Sequence, residues 1–220
     1  MNSVIFDLDG TLADTSGDLI AAANSCFRAM GQGDLLDPET DQLTAFHGGK
    51  AMLRLGFSRL DQAWSEADVD REWHGLIAYY TAHIDRHTVL YDGVEAMLDQ
   101  LATRYRLGVC TNKPDDLAED LLGRLGIRDR FGAMLGANAL PVRKPDPTHL
   151  TETILRLGGD PARAVLIGDT ENDSKAAAAA GVPCILVGFG PSGLAVRDLN
   201  PDAVLMHYRD LPEVLQDLGL

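Results

Sequence analysis

Val4-Ile5-Phe6-Asp7-Leu8-Asp9-Gly10-Thr11-Leu12 decides how this chain reads. An apolar run too short for a helix feeds into two aspartates one residue apart, then Gly-Thr. That predicts a short buried strand leaving through a sharp turn. On a strand, side chains at i and i+2 point to the same side. Asp7 and Asp9 are therefore expected together at the strand's C-terminal edge, where open parallel sheets hold their ligands. Two carboxylates ~4 Å apart repel by about 4 kcal/mol at an effective dielectric of ~20. A cation, a shared proton or a phosphoryl-transfer reaction offsets that repulsion. A strand end with an acidic turn is the plain alternative.

Beyond Leu12 the pattern is helical. Leu19, Ala23, Cys26, Phe27 and Met30 fall on one face, and Thr15 is placed to cap that helix. Asp37-Pro38-Glu39 reads as the start of a short helix through Leu43. His47-Gly48-Gly49-Lys50 opens another, and a longer one spans Glu66 to Asp85. From Tyr91, strands alternate with helices. The strands are Leu107–Cys110, part of 131–137, Ala164–Ile167, Cys184–Val187 and Ala203–Met206. Apolar strands separated by helices predict an α/β fold with a parallel sheet. The expected organisation is a core of residues 1–14 and 87–220, with residues 15–86 inserted after the first strand as an all-helical block.

The chain has 220 residues, 45% hydrophobic and 24% charged, which suits one large domain or a core plus an insert. The net charge is −14 and no Lys/Arg-rich run occurs, so a nucleic-acid surface is not expected. An acidic protein repels anions at long range, so any phosphate site must rest on a metal, a lysine or backbone amides. Cys26, Cys110 and Cys184 are odd in number and widely spaced, as for buried free thiols in a reducing cytoplasm. The N-terminus enters its first strand at once, which predicts no signal peptide. No apolar run approaches the ~20 residues of a membrane span, so no membrane partner is expected.

Further chemistry gathers at the other strand ends. Thr111-Asn112 follows one strand, and Gly168-Asp169-Thr170 with Asp173 follows another. Lys144 sits in a Pro-punctuated loop, Val142-Arg143-Lys144-Pro145-Asp146-Pro147. Each alone reads as a turn, a surface loop or an acidic first helical turn. All of them in this order are hard to obtain by accident.

In these motifs the chain resembles the haloacid dehalogenase superfamily of phosphotransferases. Phe6 to Leu12 matches the first motif, Thr111-Asn112 the second, Lys144 the third and Gly168 to Asp173 the fourth. Within the superfamily, the 110–114, 140–147 and 168–181 stretches resemble phosphoglycolate phosphatases. The resemblance implies a Rossmann-like parallel core, a helical cap formed by 15–86, and Mg²⁺ as cofactor. It implies Asp7 as nucleophile, forming an aspartyl-phosphate, Asp9 as acid and then base, and Lys144 as counter-charge. Thr111 and Asn112 would hold phosphoryl oxygens. Asp7, the Asp9 carbonyl and Asp169 would be metal ligands, with Asp173 ligating through water or orienting that shell. The superfamily's dehalogenases resemble one another in lacking the acid that Asp9 supplies, so dehalogenation is set aside.

Gly48, Gly49 and Lys50 are the expected substrate contacts of the insert, since glycine amides at a helix start beside a cation suit a small carboxylate. A helix-start turn with a solvated lysine is the alternative. Phosphoglycolate phosphatases resemble this chain here with Gly-x-Gly-Ala, where it has Lys50 in place of the second glycine. The expected partner is a small anionic phosphorylated metabolite, 2-phosphoglycolate first. A sugar-phosphate or nucleotide phosphatase, a pyrophosphatase, a β-phosphoglucomutase-like enzyme and an inert binding protein on the same fold remain open alternatives. Oligomeric state is not legible.

Overall fold

The computed structural model describes all 220 residues. In chain order the strands and helices are β1 (Ser3–Phe6), β2 (Ala13–Asp14), α1 (Ser16–Ala29), α2 (Gln42–Ala45), α3 (Gly49–Ser58), α4 (Glu66–Ala82) and β3 (Val89–Leu90). They continue as α5 (Val94–Ala102), β4 (Arg106–Cys110), α6 (Asp115–Arg124), β5 (Ala133–Leu135), α7 (Pro147–Arg156), β6 (Ala164–Gly168), α8 (Glu171–Ala180), β7 (Cys184–Val187), β8 (Ala203–Leu205) and α9 (Leu211–Asp217). The chain forms two compact units, residues 1–13 with 90–220, and residues 14–89.

The first unit is built on a six-stranded sheet in the order β5-β4-β1-β6-β7-β8, with parallel pairing throughout. β1 lies at its centre, and Val4, Ile5 and Phe6 are fully buried, as a strand covered on both faces requires. Register then sets the site. Phe6 pairs with Val109 on one side and Ile167 on the other. Asp7, Thr111 and Asp169, which follow these strands, therefore leave the sheet close together at its C-terminal edge. The alanines of α8 keep that helix tight on the sheet, with Ala176 and Ala177 fully buried.

The second unit contains α1 to α4 and no strand of the main sheet. Phe27 and Phe57 meet edge to face at 5.4 Å, and Trp64 stacks on Phe57 at 5.9 Å. The buried Asp18 carboxylate accepts from the Thr88 hydroxyl and from the His87 and Thr88 amides, tying the unit's two ends together. Two local expectations fail. Thr15 makes no capping hydrogen bond and its buried hydroxyl has no partner, while Asp14 accepts from both Ser16 groups instead. Asp37 caps a turn, accepting from the Glu39 and Thr40 amides, and the helix begins only at Gln42. Asx turns compete with helix starts because the same carboxylate serves both.

Candidate active site

Asp7 continues β1, its amide donating to the Ile167 carbonyl at 2.8 Å. One carboxylate oxygen accepts from the Leu8 amide at 2.7 Å, and the other lies 3.1 Å from Lys144 Nζ. The pair of aspartates does not face an empty gap. Asp9 has its own lysine, with Lys113 Nζ at 3.0 and 3.3 Å from its two oxygens. The repulsion anticipated from the Asp-x-Asp spacing is met by one ammonium for each carboxylate.

β6 and its following turn bring the remaining acids. Thr11 donates its hydroxyl to Asp169 at 3.0 Å, and the buried Tyr208 hydroxyl holds the Thr11 carbonyl at 2.7 Å. Asp173 folds back over the strand end. One of its oxygens bonds Lys144 at 2.5 Å; the other accepts from the Thr170 hydroxyl and amide and the Asp169 amide. Gly168 makes this possible, since a Cβ there would lie 2.3 Å from the Asp173 carboxyl carbon. Thr111 leaves β4 with its amide on the Leu135 carbonyl. Asn112 reaches the Lys144 carbonyl with its side-chain amide at 2.9 Å, while its buried Oδ1 has no partner. Asn112 thus fixes the loop that carries Lys144, where the Lys144-Pro145 peptide is cis.

Burial sets the electrostatics. It pushes the Asp7 carboxyl up to about 6; Lys144 opposes that shift, and Asp173 and Asp9 reinforce it. Asp169 is raised well above the usual carboxylate range, again by burial first and then by Asp173 and Asp7. Burial alone would discharge Lys144, but Asp173 and Asp7 outweigh it and hold the ammonium above its ordinary range. Asp7, Asp169 and Asp173 place carboxylate oxygens within 4.8 Å of one another. An all-oxygen donor set suits a hard cation such as Mg²⁺. Lys144 is the ammonium in contact with the buried cluster of Asp7, Asp169 and Asp173, and a divalent cation there would relieve the repulsion that raises Asp7 and Asp169.

The structure therefore gathers Asp7, Asp9, Thr111, Asn112, Lys144, Asp169 and Asp173 around the ends of β1, β4 and β6. The other expected residues belong to the second unit. Gly48 has a positive φ of 95° and precedes α3. Gly49 packs where a Cβ would meet Trp73 at 2.7 Å. Lys50 pairs with Asp70 at 2.6 Å, its ammonium 5.8 Å from the Trp73 ring centre. One turn further along α3, outside that set, Arg54 makes a two-pronged pair with Glu66. Sequence reasoning gave Lys113 no role, although Thr111-Asn112-Lys113-Pro114 puts it directly after a strand end. Counting charges was the available signal, because one lysine left the four carboxylates under-compensated. Cys110 is buried with its thiol pushed up to about 12 by desolvation, which makes it inert as a nucleophile.

The family described as Haloacid dehalogenase-like hydrolase matches residues 4–187. A Mesorhizobium japonicum protein named phosphoglycolate phosphatase is 36% identical over 206 residues, covering 93% of this chain and 90% of its own. One of the same name from Agrobacterium fabrum is 37% identical over 215 residues, covering 96% and 91%. Among solved structures, a protein of Haemophilus somnus described as a predicted phosphoglycolate phosphatase superposes with a TM-score of 0.83 at 25% identity, covering 97% of both chains. This chain therefore belongs to the haloacid dehalogenase-like hydrolases, as a phosphoric monoester hydrolase resembling the phosphoglycolate phosphatases.

Proposed function

We propose that the protein hydrolyses a small phosphorylated carboxylic acid, 2-phosphoglycolate first, to the free acid and phosphate through an aspartyl-phosphate on Asp7. The observation that carries this reading is the Asp7 carboxylate at the central strand's end, one oxygen held by the Leu8 amide and the other facing Lys144. In the first step an Asp7 oxygen bonds to phosphorus and the bond to the substrate's bridging oxygen breaks. Asp9, entering the step in its protonated form, gives that oxygen its proton. In the second step water attacks the phosphorus, loses its proton to Asp9, and releases phosphate and the Asp7 carboxylate. The Thr111 hydroxyl and the Asn112 backbone amide hold phosphoryl oxygens, and Lys144 balances their charge.

Asp7, Asp169 and the Asp9 carbonyl would hold Mg²⁺. When bound, the cation neutralises charge among these acids and on the phosphoryl group. Both Asp173 oxygens are already engaged, which supports an orienting role for it through Lys144 and the 169–170 turn. Residues 15–86 form the substrate-selecting cap in this reading. Gly48, Gly49 and Lys50 at the start of α3 are its candidate contacts for the substrate's carboxylate. The names of the relatives support the choice of substrate.

The test is phosphate release across a panel of phosphate esters, with Mg²⁺ or with chelator. The expected result is chelator-sensitive turnover that Asp7→Asn abolishes. Asp9→Asn should lower turnover of alkyl phosphates by about 10²–10⁴-fold. Turnover that survives Asp7→Asn overturns the mechanism. Stronger turnover of another ester overturns only the substrate, and isomerised sugar phosphate without free phosphate points to a mutase.

A further inference from the structure

Two buried lysines stand at this sheet edge, and the chemistry above uses only Lys144. The Lys113 side chain is 3% exposed, and its ammonium spans both oxygens of Asp9. That single ammonium lies in front of both oxygens and draws the carboxylate toward it as a point charge.

The backbone of Lys113 is itself held. Its amide donates to the Thr111 hydroxyl at 3.2 Å, and its carbonyl accepts from the Ala137 amide at 2.8 Å. Gly136 lies so close that a Cβ would fall 2.6 Å from the Lys113 carbonyl oxygen and 2.7 Å from the Asp115 nitrogen. The Gly136 amide donates to Asp115 at 2.7 Å, and its carbonyl bonds His149 Nε2 at 3.0 Å. His149 is fully buried, and desolvation lowers its pKa, so the ring is neutral. With Nε2 donating to Gly136, Nδ1 is free to accept from the Cys110 thiol, 3.6 Å away. α7, β4 and the loop after β5 thus converge on the residue that grips Asp9.

We propose that Lys113 is a positioning residue for Asp9. Its backbone is set by the Gly136–His149 clamp, and its ammonium holds the carboxylate in the orientation from which it exchanges a proton with the bridging oxygen. This rests on the acid–base role given to Asp9 above.

Leaving-group chemistry tests it. The kcat/KM reports the steps up to phosphoryl transfer onto Asp7. An alkyl phosphate such as 2-phosphoglycolate needs a proton on its leaving oxygen there, whereas p-nitrophenyl phosphate does not. With saturating Mg²⁺, Lys113→Met should lower kcat/KM on the alkyl ester about 10²-fold and on the aryl ester less than ~5-fold. Lys113→Arg should recover part of the loss. The double variant Lys113→Met/Asp9→Asn should be no slower on the alkyl ester than Asp9→Asn alone. Gly136→Ala should show the same ester preference more weakly, which keeps the test available if Lys113→Met folds poorly. Equal losses on both esters, or a double variant whose losses multiply, would overturn the proposal in favour of direct phosphate contact or simple packing. If Asp9→Asn itself treats the two esters alike, the acid–base reading fails and the positioning role falls with it.

Discussion

The molecule contains the same chemical pair in two settings. Lys144 and Asp173 meet at 2.5 Å with side chains 1% and 0% exposed; Lys50 and Asp70 meet at 2.6 Å with side chains 44% and 63% exposed. Distance does not separate them, but solvent does. On α3 and α4, water screens the pair and competes for both partners, so the contact adds little. At the ends of β1 and β6 the charges have lost their water and depend on one another. Lys144 cannot discharge because Asp7 and Asp173 hold it, and the acids cannot all stay ionised without it. A buried charge cluster is a poor way to stabilise a sheet and a good way to hold a site short of positive charge.

The sharpest way to break this contrast is Lys144→Met. Removing one partner of a buried cluster leaves charge uncompensated, so a loss of about 3–5 kcal/mol in urea unfolding is expected, together with loss of turnover. A stable, active variant would mean that the cluster is wet. Next is the cation itself. Mg²⁺ at 100 times its Kd should stabilise the folded protein by about 2.7 kcal/mol in thermal unfolding, and Asp169→Asn should abolish that gain. Gly49→Ala should destabilise by about 1–3 kcal/mol, because its Cβ would meet the Trp73 ring and Leu76. An unchanged melting temperature would show that the α3–α4 contact is loose.

The pair Arg59–Asp41 lies between the two extremes, with Asp41 buried and Arg59 reaching both of its oxygens. The Arg59 hydrogen bonds hold the Asp41 carboxyl below its usual range. A carboxyl lowered on folding stabilises above its unfolded pKa, and that gain is lost as pH falls through the folded value. Asp41→Asn should therefore lose about 1 kcal/mol at pH 7 and far less near pH 3, as urea titrations at the two pH values would show. The smallest effect is expected for Lys50→Ala, with no measurable change in melting temperature. A raised KM for 2-phosphoglycolate with unchanged kcat would place Lys50 on the substrate; an unchanged KM would leave it a solvated helix-start lysine.

Local pattern made much of this legible. Val4-Ile5-Phe6 announced a doubly covered strand, and the strand ends after Cys110 and Ile167 announced where the site residues leave the sheet. Asp37 and Thr15 misled because a short polar side chain before a helical pattern looks the same whether it caps a helix, closes a turn or stays unpaired. Lys113 was passed over because a lysine beside a strand end is ordinarily solvated. In the folded chain its side chain is 3% exposed with the ammonium against Asp9, a burial that no local pattern announces.

The sequence by itself determined the parallel α/β core, the place of the inserted helices, and Asp7, Asp9, Lys144 and Asp169 as the residues worth following. Those depend on short-range periodicity and on motif order. The tertiary structure alone decided the partnerships: Lys144 with Asp7 and Asp173, Lys113 with Asp9, Thr11 with Asp169. Lys113 and Asp9 are 104 residues apart in the chain, and Thr11 and Asp169 are 158 apart. No local periodicity spans such a separation. Strand register brings those residues to one edge, and burial then makes each charge depend on its neighbours.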